Sequence, residues 1–244
     1  MSDHQPWKWM ARLSRLRKGP IMSTARVRRP NTARLGRLSN GMLMTPEEFD
    51  AATDFDELYS YELIHGVLIV SPPPGESERD PNDELGNLLR VYKSSHQAGS
   101  ALDKTLSEQY VHLADSRRRA DRVIWAGLGR MPDPKTDVPA IVVEFVSNRQ
   151  RDRVRDYEEK RREYPAIGVL EYWIIDRFQR IMTVCRGRPG EPAEQITKEN
   201  EIYRTALLTG FELPLAQLLK VADDWAGPVR ARKNSGSTRG SAPQ

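Results

Sequence analysis

Glu144 stands inside Ile141-Val142-Val143-Glu144-Phe145-Val146, an otherwise unbroken apolar run. Runs of that kind form strands buried on both faces of a sheet. An isolated carboxylate there costs several kcal/mol unless it is paired or holds a metal. The plainer alternative puts Glu144 on a wet face with Val142 and Val146. Asp121, in Ala120-Asp121-Arg122-Val123-Ile124-Trp125, and Glu62, in Tyr61-Glu62-Leu63-Ile64, are acids in two further strand-like stretches. Singly, each is an ordinary strand-end acid. Together on neighbouring strands, the three carboxylates form an oxygen-donor set suited to Mg²⁺ or Mn²⁺. Such a set can hydrolyse phosphodiesters by activating an in-line water and neutralising the charge that develops. The expected geometry brings all three carboxylates within metal-bridging reach of one another.

Asp156, Lys160 and Tyr164 are spaced by four in a charged stretch and would share one helical face. With Tyr157 and Tyr164 packing against the sheet, Lys160 would point at the strand end that carries Glu144. Its ammonium could then hold the attacking water or stabilise charge on the phosphate. The competing possibility is a solvated i,i+4 ion pair between Asp156 and Lys160. Arg117, Arg118 and Arg119 precede Asp121, and Arg149, Arg151, Arg153 and Arg155 precede Lys160. Of these, Arg119, Arg149 and Arg151 are the candidate contacts to a nucleic-acid backbone. Interleaved acids leave a merely solvated helix face as the alternative. His65, His96 and His112 lack ligand spacing, and His65-Gly66 reads as a hairpin turn. Cys185, Tyr172 and Trp173 read as core.

Positioning these groups requires a definite order of elements. Thr45-Pro46-Glu47-Glu48 reads as a capped helix start. A hairpin follows over 61–64 and 67–70, ended by Ser71-Pro72-Pro73-Pro74-Gly75. A helix is predicted over 81–97 from Leu85, Leu88, Leu89 and Tyr92. Strands are predicted over 106–113, 120–125 and 140–146, a helix over 150–164, strands over 171–176 and 180–185, a short strand over 202–206, and a last helix over 213–221. That is an α/β domain with a mixed sheet.

Charge is divided unevenly along the 244 residues. Residues 1–40 hold ten basic side chains against Asp3 alone, and residues 225–244 hold four against none, so 41–224 carries −9 of a net +4. Basic ends attract polyanions and resist folding. Residues 1–41 and 225–244 are therefore expected to be disordered basic tails around one domain, 42–224. The single cysteine excludes a disulfide framework, and no apolar run approaches the roughly 20 residues of a membrane helix.

The motifs together carry a resemblance. Glu62 within Tyr-Glu-Leu-Ile-His-Gly, Arg119-Ala120-Asp121, Val143-Glu144-Phe145-Val146-Ser147, Lys160 with Tyr164, and Gly168-Val169-Leu170-Glu171-Tyr172-Trp173-Ile174-Ile175-Asp176 occur in one order. That order resembles the Putative restriction endonuclease family, formerly a bacterial domain of unknown function, within the PD-(D/E)XK nuclease superfamily. The resemblance covers roughly 42–220 and implies a restriction-endonuclease-like mixed sheet flanked by helices. It also implies a Mg²⁺- or Mn²⁺-dependent DNA endonuclease in the cytoplasm, with no membrane association and with a homodimer admissible. Asp121 matches the family's Asp after an Arg-Pro pair, Glu144 its strand acid, Lys160 a lysine moved onto the following helix, and Glu62 an early acid. Ala120 stands where the family has proline. Val146 stands where the wider superfamily has its lysine, so Lys160 must serve. A non-catalytic nucleic-acid-binding module that keeps the fold is the alternative.

Overall fold

Thr45 caps the first helix, α1 (Pro46–Ala51), as its sequence requires: Glu48 N donates to Thr45 Oγ1 at 3.2 Å and Thr45 N to Glu48 Oε2 at 2.9 Å. Strands β1 (Ser60–Ile64) and β2 (Val67–Ser71) then pair through His65 and Gly66, both at positive φ (48° and 76°), the twist-compatible turn for a two-residue hairpin. The computed structural model describes residues 34–149, 153–187 and 194–226. Most of both expected tails, and Arg151, lie outside those residues.

Helix α2 (Glu76–Ser95) begins earlier than expected, because its first turns are polar and Pro81 sits inside it. It leads to β3 (Leu102–His112), β4 (Arg117–Ala126) and β5 (Ile141–Phe145). Helix α3 follows, π-helical over Arg155–Glu159 and α-helical over Lys160–Ala166. Strands β6 (Glu171–Asp176), β7 (Ile181–Arg186) and β8 (Glu194–Lys198) complete the large sheet. Its order is β2-β1-β4-β5-β6-β7-β8, with β3 also paired to β4. Only β5 and β6 are parallel among the paired strands described, as a crossover through α3 demands. A short pair, β9 (Ile202–Tyr203) and β10 (Leu213–Pro214), precedes α4 (Leu215–Ala226).

Both faces of the sheet are covered. Leu85 and Leu89 of α2 and Leu218 of α4 pack with Ile124, Val143 and Trp173 on one side. Tyr164 of α3 packs with Val123, Val142, Tyr172 and Ile174 on the other. Every residue of β5 is buried, Glu144 included, which removes the wet-face alternative. Among the described residues no helix is long and apolar enough to cross a membrane.

The expected domain boundaries need correction at both ends. Residues 34–41 belong to the fold: Leu35 is buried with Phe49 and Tyr61, Tyr61 OH donates to Leu35 O at 2.9 Å, and Gly41 N to Leu68 O at 2.8 Å. Arg34 and Arg37 flank Leu35 and mask its apolar character in a charge count. Helix α4 likewise continues past 224, and Trp225 Nε1 donates to Asp80 Oδ2 at 2.6 Å.

A buried arginine locks α2 to the sheet. Arg122 donates to Asn82 Oδ1 and Asn82 O, both at 2.7 Å, and to Thr105 Oγ1 at 3.2 Å. Gly86 leaves room for it, since a Cβ there would lie 2.6 Å from Arg122 Nη2. Gly86→Ala should therefore destabilise the protein by about 1–3 kcal/mol, although alanine is the better helix former. Calorimetry should show the midpoint falling by roughly 2–4 °C per kcal/mol. An unchanged or higher midpoint would mean that the guanidinium yields freely.

Candidate active site

The β4–β5 ladder runs only from Ile124↔Ile141 to Arg122↔Val143. One step further along that register, Asp121 stands opposite Glu144. There the ladder gives way to a side chain: Phe145 N donates to Asp121 Oδ2 at 2.6 Å. Asn82 Nδ2 donates to the Asp121 carbonyl at 2.7 Å and steadies the same residue from α2. Asp121 and Glu144 thus sit side by side on the floor of a cleft of about 360 Å³. Pro72, Pro73 and Pro74 form one wall, a stiff segment because each ring fixes its own φ.

Helix α3 delivers the charge that meets them. Lys160 Nζ lies 2.9 Å from Glu144 Oε1 and 3.0 Å from Asp156 Oδ1. The Asp156–Lys160 pair exists at the expected spacing but is buried, not solvated. Tyr164 OH donates to Glu144 Oε1 at 3.2 Å, and Tyr172 OH to the Asp156 carbonyl at 3.0 Å. Four residues of α-helix overshoot a full turn by about 40°. The wider π turn before Lys160 offsets that overshoot, so Asp156, Lys160 and Tyr164 all face the sheet. The start of α3 is tied down separately, since Arg153 Nη2 and Tyr157 OH each reach Asp176 Oδ2 at 3.0 Å.

Glu62 lines the same cleft but is engaged elsewhere. It accepts from Arg119 N at 3.1 Å and from Arg155 Nη1 at 3.0 Å. Among the described residues no three His, Cys, Asp or Glu side chains form a ready metal cluster. The expected bridging of Glu62, Asp121 and Glu144 is corrected accordingly: two acids lie together, and the third holds an arginine. The arginines divide too. Arg117 is spent on Asp50, and Arg118 is fully buried against Glu159 and Glu163. Arg119 and Arg149 line the cleft. Arg151 lies outside the described residues. Asp156 and Tyr164 read as an ion partner and a packing residue, yet both touch the Glu144–Lys160 pair. Glu108 and Asn82 gave no signal in the sequence at all.

Electrostatics set the character of the site. Burial raises the Asp121 carboxyl well above its ordinary range, the Glu144 charge adds to that, and the Phe145 amide and Lys160 oppose it. Burial likewise raises Glu144 and Asp156 in spite of the ammonium between them. Burial works against the Lys160 charge, but Asp156 and Glu144 outweigh it and hold the ammonium protonated. Three carboxyl groups therefore share one cation, while Glu62 has its own arginine. A site short of positive charge, with oxygen donors only, fits a hard divalent ion at Asp121 and Glu144.

Comparison with known proteins agrees with this architecture. The family described as Putative restriction endonuclease, Uma2, matches residues 46–216. A crystal structure of a putative nuclease belonging to DUF820, from Anabaena variabilis ATCC 29413, superposes with a TM-score of 0.55 at 14% identity, covering 73% of this chain and 99% of that one. Identity that low speaks for a shared fold alone. No curated protein matches. With the family match spanning most of the folded chain, the protein belongs to the Putative restriction endonuclease family.

Proposed function

We propose that the protein is a metal-dependent DNA endonuclease that hydrolyses phosphodiester bonds in the Asp121–Glu144 cleft. The observation that supports this most is the meeting of two neighbouring strand carboxylates with a helix-borne ammonium, Lys160 Nζ lying 2.9 Å from Glu144 Oε1. Asp121 and Glu144 would hold Mg²⁺ or Mn²⁺, which supplies Lewis acidity and a water of lowered pKa. Glu62 suits a different task, keeping Arg155 in the cleft wall.

The chain's own groups have separable roles. Lys160 stays protonated, so it serves as a fixed positive charge beside the reacting phosphate rather than as a base. Asp156 aims that ammonium from below, and Tyr164 orients the Glu144 carboxylate. Arg119 and Arg149 are placed to meet the flanking phosphates.

Plasmid nicking tests the reading. The full chain should nick supercoiled DNA with Mg²⁺ or Mn²⁺, stop in excess EDTA, and resume when the metal is restored. DNA binding without nicking under any divalent metal would favour the non-catalytic binding module. Nicking that persists in EDTA would remove the metal from the reaction.

A further inference from the structure

Glu108 lies across from Asp121 in the β3–β4 pairing, since Ser107 faces Arg122 and Gln109 faces Ala120. The ladder skips that position. Glu108 has φ 54°, in the left-handed region that a strand residue with a side chain rarely enters. The backbone there is turned out of the strand, and the carboxylate meets Arg119 Nη2 at 2.8 Å. Both side chains line the cleft beside Asp121 and Glu144.

The pair leaves part of the guanidinium unused. Arg119 Nε is buried with no hydrogen-bond partner, so this contact does not use the guanidinium's full donor edge. Burial raises the Glu108 carboxyl above its ordinary range even with Arg119 pulling it down. A phosphate carries the same charge sign and presents several oxygens. It can engage Nε and Nη2 of one guanidinium together, which is the stronger arrangement.

We propose that Glu108 is a specificity-determining residue of the cleft: its carboxylate stands on Arg119 where a backbone phosphate binds, and nucleic acid must displace it. Weakly charged or single-phosphate ligands would then compete poorly, while a polyanion that engages several cations at once would succeed. The inference rests on the nuclease reading.

The test is equilibrium binding of a fluorescent DNA duplex to the full chain in EDTA, so that cleavage plays no part. Glu108→Gln should bind about three- to tenfold tighter than wild type, because an internal competitor is lost. Glu108→Asn should shift the same way and tolerates the backbone angle better. Arg119→Met should bind more weakly and flatten the log K against log salt slope by about one phosphate's worth. In the Arg119→Met background, Glu108→Gln should change nothing. Unchanged or weaker binding by both Glu108 variants overturns the proposal. So does equal tightening with and without Arg119, which would mean only a general charge effect. A large fall in thermal midpoint for both Glu108 variants would make the residue a structural brace instead. If the wild-type chain binds no duplex either in EDTA or with Mg²⁺ present, the nuclease reading fails and this inference with it.

Discussion

Glu144→Gln should reduce metal-dependent nicking to background while leaving the protein folded. Gln keeps the volume and can still accept from Lys160 and Tyr164, which lie 2.9 and 3.2 Å from Glu144 Oε1. It removes one of the two carboxylates that fit a divalent ion, so calorimetric Mg²⁺ titration should fail together with cleavage. Stability should move the other way. Glu144 has its carboxyl raised by burial, so its contribution to folding is present at low pH and is lost as pH rises through the raised value. The Gln variant escapes that loss, and its advantage over wild type in metal-free buffer should grow with pH. Nicking at the wild-type level by Glu144→Gln would defeat the assignment. A variant less stable than wild type at alkaline pH would show that the acid is well compensated after all.

Lys160→Met should lower nicking by about 10²–10³, the usual loss when one preorganised stabiliser of transition-state charge is removed. Metal titration should survive. Folding should suffer, because the ammonium is buried between two carboxylates. Removing one partner of a buried ion pair costs about 3–5 kcal/mol when the other charge is left alone. Glu144 and Asp156 can relieve it by taking up protons, so the deficit should shrink as pH falls. Urea unfolding at acid and alkaline pH measures this directly. Full activity in Lys160→Met would demote the lysine to a structural ion. A deficit independent of pH would mean that lost packing, not lost charge, is responsible.

Much of this fold was legible because period and punctuation agreed with tertiary demand. The capping box at Thr45, the His65-Gly66 turn and the apolar run of β5 are local signals, and each formed as read. Strand β8 was missed because Glu194–Lys198 has only one buried side chain and gains its place by pairing with β7. The start of α2 was missed because its first turns carry charges and a proline. At the site, Asp121, Glu144 and Lys160 were legible as charges in apolar or periodic surroundings. The arginine partner of Glu62 was not legible, because a strand acid looks the same whichever cation it faces. Asp156 seemed solvated because burial of a helix face depends on the sheet it meets. Glu108 was invisible because its role depends on a backbone angle that no residue pattern announces.

The lysine's address on α3 has a consequence for how activity and folding are linked. Val146, at the strand position where the wider superfamily carries its lysine, is free to be core and is 1% exposed. The sheet then carries the paired carboxylates of the site, and a separately docked helix carries its ammonium. Activity becomes a gauge of helix docking. On the nuclease reading proposed above, loosening α3 from Asp176 would silence the protein while the β4–β5 carboxylates stayed in place.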